Sequence, residues 1–380
     1  MIYLDNSATT KPYPEVLDTF RQVSEQFFAN PSSLHSLGGQ SENLLKKARQ
    51  QAAGLLNVKD SEIMFTSGGT EGNNAAIKGS ALTFGHRGRH VITSTVEHSA
   101  SYESFRQLEQ LGFDVTYLPV DDEGRISLEQ FQQSLRDDTI LVSLIHVNNE
   151  LGTIQPVMDI ANILKSYPKT LLHIDHVQGI GKVPLDLNHE GIDFCTISGH
   201  KFHGLKGTGI LYVKDGVNLS SLLSGGGQEM GRRAGTENLA GIVALTKALR
   251  ITLEHFRTDL SSMQQMLMKI RAHYTNRSVV QINTPEEGAA PHILNITVKG
   301  IKAEVLIHAL EDHDIYISTK SACSSQEMGA SRILLASGLN NDDANQAVRI
   351  SLSYNNTMAD MDQFLTVMDD KIAQLQEVMG

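Results

Sequence analysis

From about residue 60 to residue 214, short runs rich in β-branched and apolar residues alternate with segments of helical pattern. The runs are "EIMFTS" at 62–67, "HVITS" at 90–94, "DVTYLPV" at 114–120, "TILVSLIHV" at 139–147, "TLLHID" at 170–175, "DFCTIS" at 193–198 and "GILYVK" at 209–214. Helical stretches such as "GNNAAIKGSALTF" and "SYESFRQLEQLG" lie between most of the first five. Strands separated by helices need crossover connections, which predicts a mainly parallel, seven-stranded sheet covered by helices on both faces. The near-continuous apolar run "TILVSLIHV" suits a strand buried on both sides. From Glu237 to about Tyr274 the pattern is helical without proline, and a single long helix bridging to a second unit is expected. Beyond it, the strands "HILNITVKG" and "AVRISLSY" and helices near 302–313, 328–338 and 359–378 predict a smaller α+β domain. The expected division is a large domain over 15–258 and a small one formed by 1–14 and 259–380.

Composition narrows the function classes. With 380 residues, 40% hydrophobic and 20% charged, the chain has the make-up of an ordinary globular protein long enough for two domains. A formal charge of −11 provides no basic stripe for phosphate backbones, so no direct nucleic-acid contact is expected. No run approaches the length of a membrane span, and the first residues, "MIYLDNSATTKPYPEV", do not read as a signal peptide. Two cysteines, far apart in sequence, give no disulfide framework, and the expected setting is a reducing cytoplasm.

The chemistry concentrates at strand ends. Asp175 closes one apolar strand and Lys201 follows another, in "HIDHVQ" and "SGHKFHGLKGTG". The carboxyl ends of strands are where open α/β sheets bind ligands. A lysine whose proton affinity is lowered by desolvation or neighbouring positive charge becomes a nucleophile able to form a Schiff base. In "FTSGGTEGNN" a strand runs through two glycines into a helix expected to start near Thr70 or Glu71, and such an N-terminus binds anions. The segment lacks both the G-x-G-x-x-G and the G-K-[ST] patterns, which disfavours dinucleotides and nucleoside triphosphates. Alone it reads more readily as a plain turn with a helix N-cap than as a phosphate site, and the glycine loops at 204–209 and 225–238 read equally as tight turns. A small phosphate, a lysine imine and a strand-end aspartate together specify pyridoxal 5′-phosphate, whose ring nitrogen needs an acidic partner.

At this level of detail the chain resembles the cysteine desulfurases, in the class V aminotransferase group of fold type I pyridoxal-phosphate enzymes. The resemblance is carried by "YLDNSATT", "NPSSLH", "TSGGTEGNN", "EHSA", "VNNELGTIQPV", "SGHKFHGLKGTG", "GGGQE", "RAGTEN", "SACSS" and "VRISL", in order along essentially the whole chain. It implies that Lys201 carries the cofactor, Asp175 holds the pyridinium nitrogen and Gln178 bonds the ring hydroxyl oxygen. It implies that His98 stacks on the ring and moves protons, and that Gly69, Thr70, Ser198 and His200 bind the phosphate. Thr236 would reach that phosphate from the neighbouring subunit of a homodimer. Asn149 and Arg349 would hold the substrate carboxylate, with Asn30 and His35 lining the pocket, and Cys323 would receive sulfur from L-cysteine as a persulfide. The resemblance further implies a sulfur-acceptor protein serving iron–sulfur assembly or tRNA thiolation. "SACSS" followed by "QEMGASRILLASG" is similar to the branch with an extended cysteine loop. A selenocysteine lyase or another enzyme of the class V aminotransferase type is the alternative.

This chain departs from the family pattern at His176, where a small residue is usual, and at Lys320, where glycine is common. Other conspicuous residues have plainer readings. Cys195, inside an apolar strand, is expected to be a buried structural thiol. His200 and His203 lack further ligands at useful spacing, so no metal site is expected. Arg349 within a strand requires an anionic partner, either a substrate carboxylate or a structural acid.

Overall fold

The computed structural model describes residues 1–319 and 329–379. Its strands are β1 (Ile2–Tyr3), β2 (Ile63–Thr66), β3 (His90–Ser94), β4 (Asp114–Leu118), β5 (Thr139–Ile145), β6 (Leu171–Asp175), β7 (Phe194–Ser198), β8 (Gly209–Val213), β9 (Val280–Ile282), β10 (Ile293–Val298), β11 (Ile315–Tyr316) and β12 (Ala347–Ser351). Seven form one sheet in the order β2-β8-β7-β6-β5-β3-β4. The pairs β7–β6, β6–β5, β5–β3 and β3–β4 are parallel, and β8 runs antiparallel to both its neighbours. Every residue of β5 is buried, as its unbroken apolar run requires in a sheet covered on both faces.

The helices that cover this sheet include α1 (Pro14–Gln26), α2 (Ser36–Leu56), α3 (Gly69–Phe84), α4 (Ser99–Gln110), α5 (Leu128–Ser134), α6 (Val157–Leu164) and α7 (Leu239–Thr258). Helix α3 starts at Gly69, earlier than the expected Thr70 or Glu71, because Gly68 takes the N-cap at φ 147°, a conformation that favours glycine. Gly72 lets the helix lie close on β7: a Cβ there would stand 2.7 Å from Thr196 Cγ2.

The expected single helix over 237–274 is two, α7 and α8 (Leu260–Tyr274), broken at Asp259. Asp259 has non-helical backbone angles, and His255 donates to its carboxylate at 2.6 Å. The break serves packing. Helix α7 places Leu245, Ala248 and Leu249 in the core of the large sheet, whereas α8 places Met263, Met266 and Ile270 in a second core. That second core also holds Ile2 and Leu4, β10, β12 and the helices α9 (Ala303–Glu311) and α12 (Met358–Met379). Between the last two lie the short helices α10 (Arg332–Ala336) and α11 (Asn341–Asn345). Strands β12-β10-β9 form an antiparallel sheet, and β1 pairs in parallel with β11. Among the described residues, no helix is long and apolar enough to cross a membrane.

Candidate active site

A cavity of about 200 Å³ opens at the carboxyl ends of β5, β6 and β7 and the N-terminus of α3. It is lined by ten residues singled out from sequence: Gly69, Thr70, His98, Asn149, Asp175, Gln178, Ser198, His200, Lys201 and Arg349.

Asp175, the last residue of β6, is 3% exposed. One carboxylate oxygen accepts from Asn73 Nδ2 at 2.6 Å and the other from the Val177 amide at 3.0 Å. Burial raises its proton affinity, while those two donors and the nearby charge of Lys201 act in the opposite sense. Lys201 stands in a single 3₁₀ turn that follows β7, and its Nζ donates to the carbonyls of Ser7 at 2.5 Å and Ala8 at 2.8 Å. The N-terminal segment therefore closes the cavity over the lysine.

His98 caps the N-terminus of α4, its Nδ1 accepting from the Ala100 amide at 3.1 Å. That bond makes Nε2 the protonated nitrogen of the neutral ring. Burial, then the charges of Lys201 and Arg332, push His98 down to about 4. His200 is pushed down to about 3, mainly by burial, and its Nδ1 lies 3.2 Å from Thr9 Oγ1. Arg349, 1% exposed on β12, donates from Nη1 to the Asn149 carbonyl at 2.8 Å. Its Nη2 donates to Asp5 Oδ1 at 2.9 Å and Ser318 Oγ at 2.8 Å. A structural acid thus pairs with the arginine whose guanidinium also lines the cavity.

The residues present fit pyridoxal 5′-phosphate. Gly68 offers no side-chain cap to α3, so the first amides of that helix face the cavity mouth as anion donors. A Cβ on Gly69 would meet Val177 Cγ2 at 3.0 Å and Ser198 Cβ at 3.5 Å, so glycine keeps that approach open. Gln178 Oε1 and Asn149 Oδ1 are buried and lack a hydrogen-bond partner among the described residues, which suits a ligand bearing donors. Asp175 supplies a buried carboxylate for a ring N–H, and Lys201 an amine for a Schiff base.

Three expected residues lie elsewhere in the chain's own fold. His35 is the exposed N-cap of α2, accepting from the Gly38 amide, and the exposed Asn30 caps a turn through Ser32. Thr236 is exposed in the loop before α7. Cys323 and Lys320 lie outside the described residues. The residues on either side of their segment are held by bonds to Arg349, which lines the cavity, and to Glu150, the neighbour of Asn149. Ser318 exchanges backbone bonds with Arg349, and Ser331 Oγ donates to Glu150 Oε2 at 2.5 Å, beside Asn149. Arg332 donates to the carbonyls of Thr95 and Glu97 and packs over the Tyr102 ring at 4.0 Å.

Asn73 was not singled out from the sequence, although "GTEGNN" places it one helical turn after Gly69, the spacing that returns to the same face. Ser7 and Ala8 act through main-chain carbonyls, which carry no side-chain signal.

A seven-stranded α/β sheet with a strand-end aspartate, a lysine after the next strand and an anion-binding helix start defines a lysine-anchored pyridoxal-phosphate enzyme. The chain belongs to the class-V aminotransferase family, whose model matches residues 2–364. It is 46% identical over 372 residues to a NifS/IcsS protein homolog of Lactobacillus delbrueckii subsp. bulgaricus, covering 97% of each chain. It is 41% identical over 382 residues to cysteine desulfurase IscS of Clostridium botulinum strain Hall, covering 99% of this chain and 96% of the relative. Among solved structures, a NifS-like protein superposes with a TM-score of 0.92 at 37% identity, over 98% of this chain and 99% of the other. A structure described as SspA in complex with cysteine matches with a TM-score of 0.82 at 36% identity, over 93% and 99% of the two chains.

Proposed function

We propose that this chain is a pyridoxal 5′-phosphate-dependent cysteine desulfurase that converts L-cysteine to L-alanine and passes the sulfur through Cys323 to an acceptor protein. The observation that carries the reading is the joint placement of Asp175, Lys201, His98 and Arg349 in one cavity, with Ser318, just before the Cys323 segment, bonded to the cavity-lining Arg349.

When bound, the cofactor supplies an electron sink conjugated with the substrate amine. Asp175, fixed by Asn73 and the Val177 amide, would counter the ring nitrogen with its carboxylate. Gly69, Thr70, Ser198 and His200 would hold the phosphate. Lys201 Nζ takes the proton from the substrate Cα, and the carbonyls of Ser7 and Ala8 keep that amine inside the cavity. His98, neutral at pH 7 with its proton on Nε2, donates or relays a proton at the substrate. Arg349 and Asn149 hold the substrate carboxylate, with Arg349 exchanging contacts made here to Asp5 and Ser318. The Cys323 thiolate attacks the substrate sulfur, so an S–S bond forms and the substrate Cβ–S bond breaks. Cβ receives a proton, and L-cysteine plus the thiol become L-alanine plus a persulfide.

The two-body organisation, with a large cofactor-binding domain over 15–258 and a small domain over 1–14 and 259–380, is supported by the two separate apolar cores. A homodimer is supported by Phe28, Leu34, Leu222, Leu223 and Met230, large apolar side chains exposed on the loops that neighbour Asn30, His35 and Thr236. In that dimer these three polar residues complete the partner's cavity. The acceptor is a protein of iron–sulfur assembly or tRNA thiolation, and the setting is the cytoplasm.

Lys201→Ala and Cys323→Ala, each given L-cysteine, test the reading. Lys201→Ala is expected to lose borohydride-fixable cofactor and all alanine formation. Cys323→Ala is expected to keep the fixable cofactor and lose catalytic sulfide release. Full turnover by Cys323→Ala contradicts the persulfide route.

A further inference from the structure

Behind the cavity, on the far side of the strand ends from Asp175, lies a second lysine. Lys182 is 5% exposed, and its Nζ donates to the main-chain carbonyl of Lys201 at 2.9 Å. The sequence "HVQGIGK" brings it there. The chain turns at the end of β6 with the Gly179 and Ile180 amides bonded to the His176 carbonyl at 3.1 Å, and the Lys182 amide bonded to the Gly179 carbonyl at 2.9 Å. Two glycines make the return tight. A Cβ on Gly179 would lie 2.3 Å from His176 Nδ1, and Gly181, at φ +66°, leaves no room for a Cβ against Thr252 Cγ2 at 2.4 Å.

The titratable groups facing Lys182 are Lys201 and His203 after β7, His176 after β6 and His292 before β10. Tyr354, after β12, donates to the adjoining Gly181 carbonyl at 2.5 Å. Among the described residues no carboxylate counters a charge on Lys182, and Lys201 is the one charged group acting on it.

We propose that Lys182 is a positioning residue for Lys201, gripping its carbonyl from behind the cavity and setting a second positive charge beside it whenever Lys182 is protonated. The inference rests on the reading of Lys201 as the residue that takes the cofactor. A buried lysine next to another cation loses proton affinity, and the coupling acts equally on both members of the pair. Burial, then the charge of Lys201, hold Lys182 down to about 7, so its proton enters within the working range of an enzyme. Where Lys182 is charged, the Lys201 amine is uncharged more often than it would be beside a neutral residue at the same pH. The fixed hydrogen bond to the Lys201 carbonyl orients the side chain that carries the amine.

The test uses the apoprotein of the full chain and pyridoxal 5′-phosphate. The rate of cofactor uptake is read as borohydride-fixed label mapped by peptide, between about pH 6 and about pH 9, for wild type, Lys182→Met, Lys182→Gln and Lys182→Arg. Ionisation of the cofactor cancels in the ratio of rates. The wild-type rate divided by that of Lys182→Met or Lys182→Gln is expected to rise about tenfold from the alkaline to the acid end, the effect of one pKa unit of coupling. Lys182→Arg, which keeps the charge, is expected to restore the acid-end rate. A structural role alone gives a ratio independent of pH, and that result overturns the proposal. So does a ratio that changes with pH but shows no inflection near 7. Label mapped away from Lys201 overturns instead the reading on which the proposal rests.

Discussion

The two sides of the β6 and β7 strand ends are chemically opposite. On the cavity side stand Asp175 and Lys201, an acid and a base, each held by hydrogen bonds of 3.0 Å or less. On the far side stand His146, His176, Lys182 and His292, all bases. His146 and His176 meet through their Nδ1 atoms at 2.8 Å with stacked rings 4.9 Å apart. Burial pushes Asp175 up and every one of these bases down, His146 to about 4 and Lys182 to about 7. Adjacent residues of one strand end, Asp175 and His176, supply the two sides, because successive side chains leave a strand in opposite directions. The lesson is one of partners. The cavity side surrounds its buried carboxylate with donors, whereas the far side, among the described residues, lacks a carboxylate and has its bases' proton affinities lowered by burial.

The comparison breaks most visibly at the carboxylate. Asp175→Asn removes the charge and keeps the shape, and turnover is expected to fall on the order of 10²–10³-fold, the scale of losing a preorganised electrostatic contact. Steady-state alanine formation measures it, and activity within a factor of three of wild type denies Asp175 its place. Asn73→Ala is expected to do less. It deletes one charge-assisted hydrogen bond, about 1.5–3 kcal/mol, and should weaken cofactor retention about tenfold or more while Asp175 stays in place.

The remaining effect belongs to the far side and is read in stability rather than in turnover. The folded-state proton affinity of Lys182 lies near 7, against 10.5 for an ordinary lysine. Between those values the unfolded chain binds a proton that the folded chain does not, so stability rises with pH across the window and the penalty is complete below it. Lys182→Gln removes that contribution. Urea denaturation at several pH values in this range should show a shallower rise with pH in the variant, by about one proton. Parallel curves would show that Lys182 does not change its charge on unfolding.

Much of this was legible in the chain because the signals were local. Strand-helix alternation specified the seven-stranded sheet, and short motifs marked ten of the residues that line the cavity. The break at Asp259 was not legible, since periodicity runs through it and only the two separate cores require the change of direction. Nor were Ser7 and Ala8, whose contribution is main-chain. Lys182 reads as an ordinary lysine in "GIGKVPLD", and its burial follows from turns at two glycines that no side-chain pattern announces. The same motifs also marked Asn30, His35 and Thr236, which the fold of a single chain leaves exposed.

The central claim is that the sulfur of L-cysteine passes through Cys323. Holoenzyme mixed with one equivalent of L-cysteine, without reductant or acceptor, and digested for peptide mass spectrometry tests it directly. The account predicts that the Cys323 peptide gains the mass of one sulfur atom and that one alanine appears for each. Alanine formed while the Cys323 peptide stays unmodified, with the sulfur released or carried elsewhere, would contradict it.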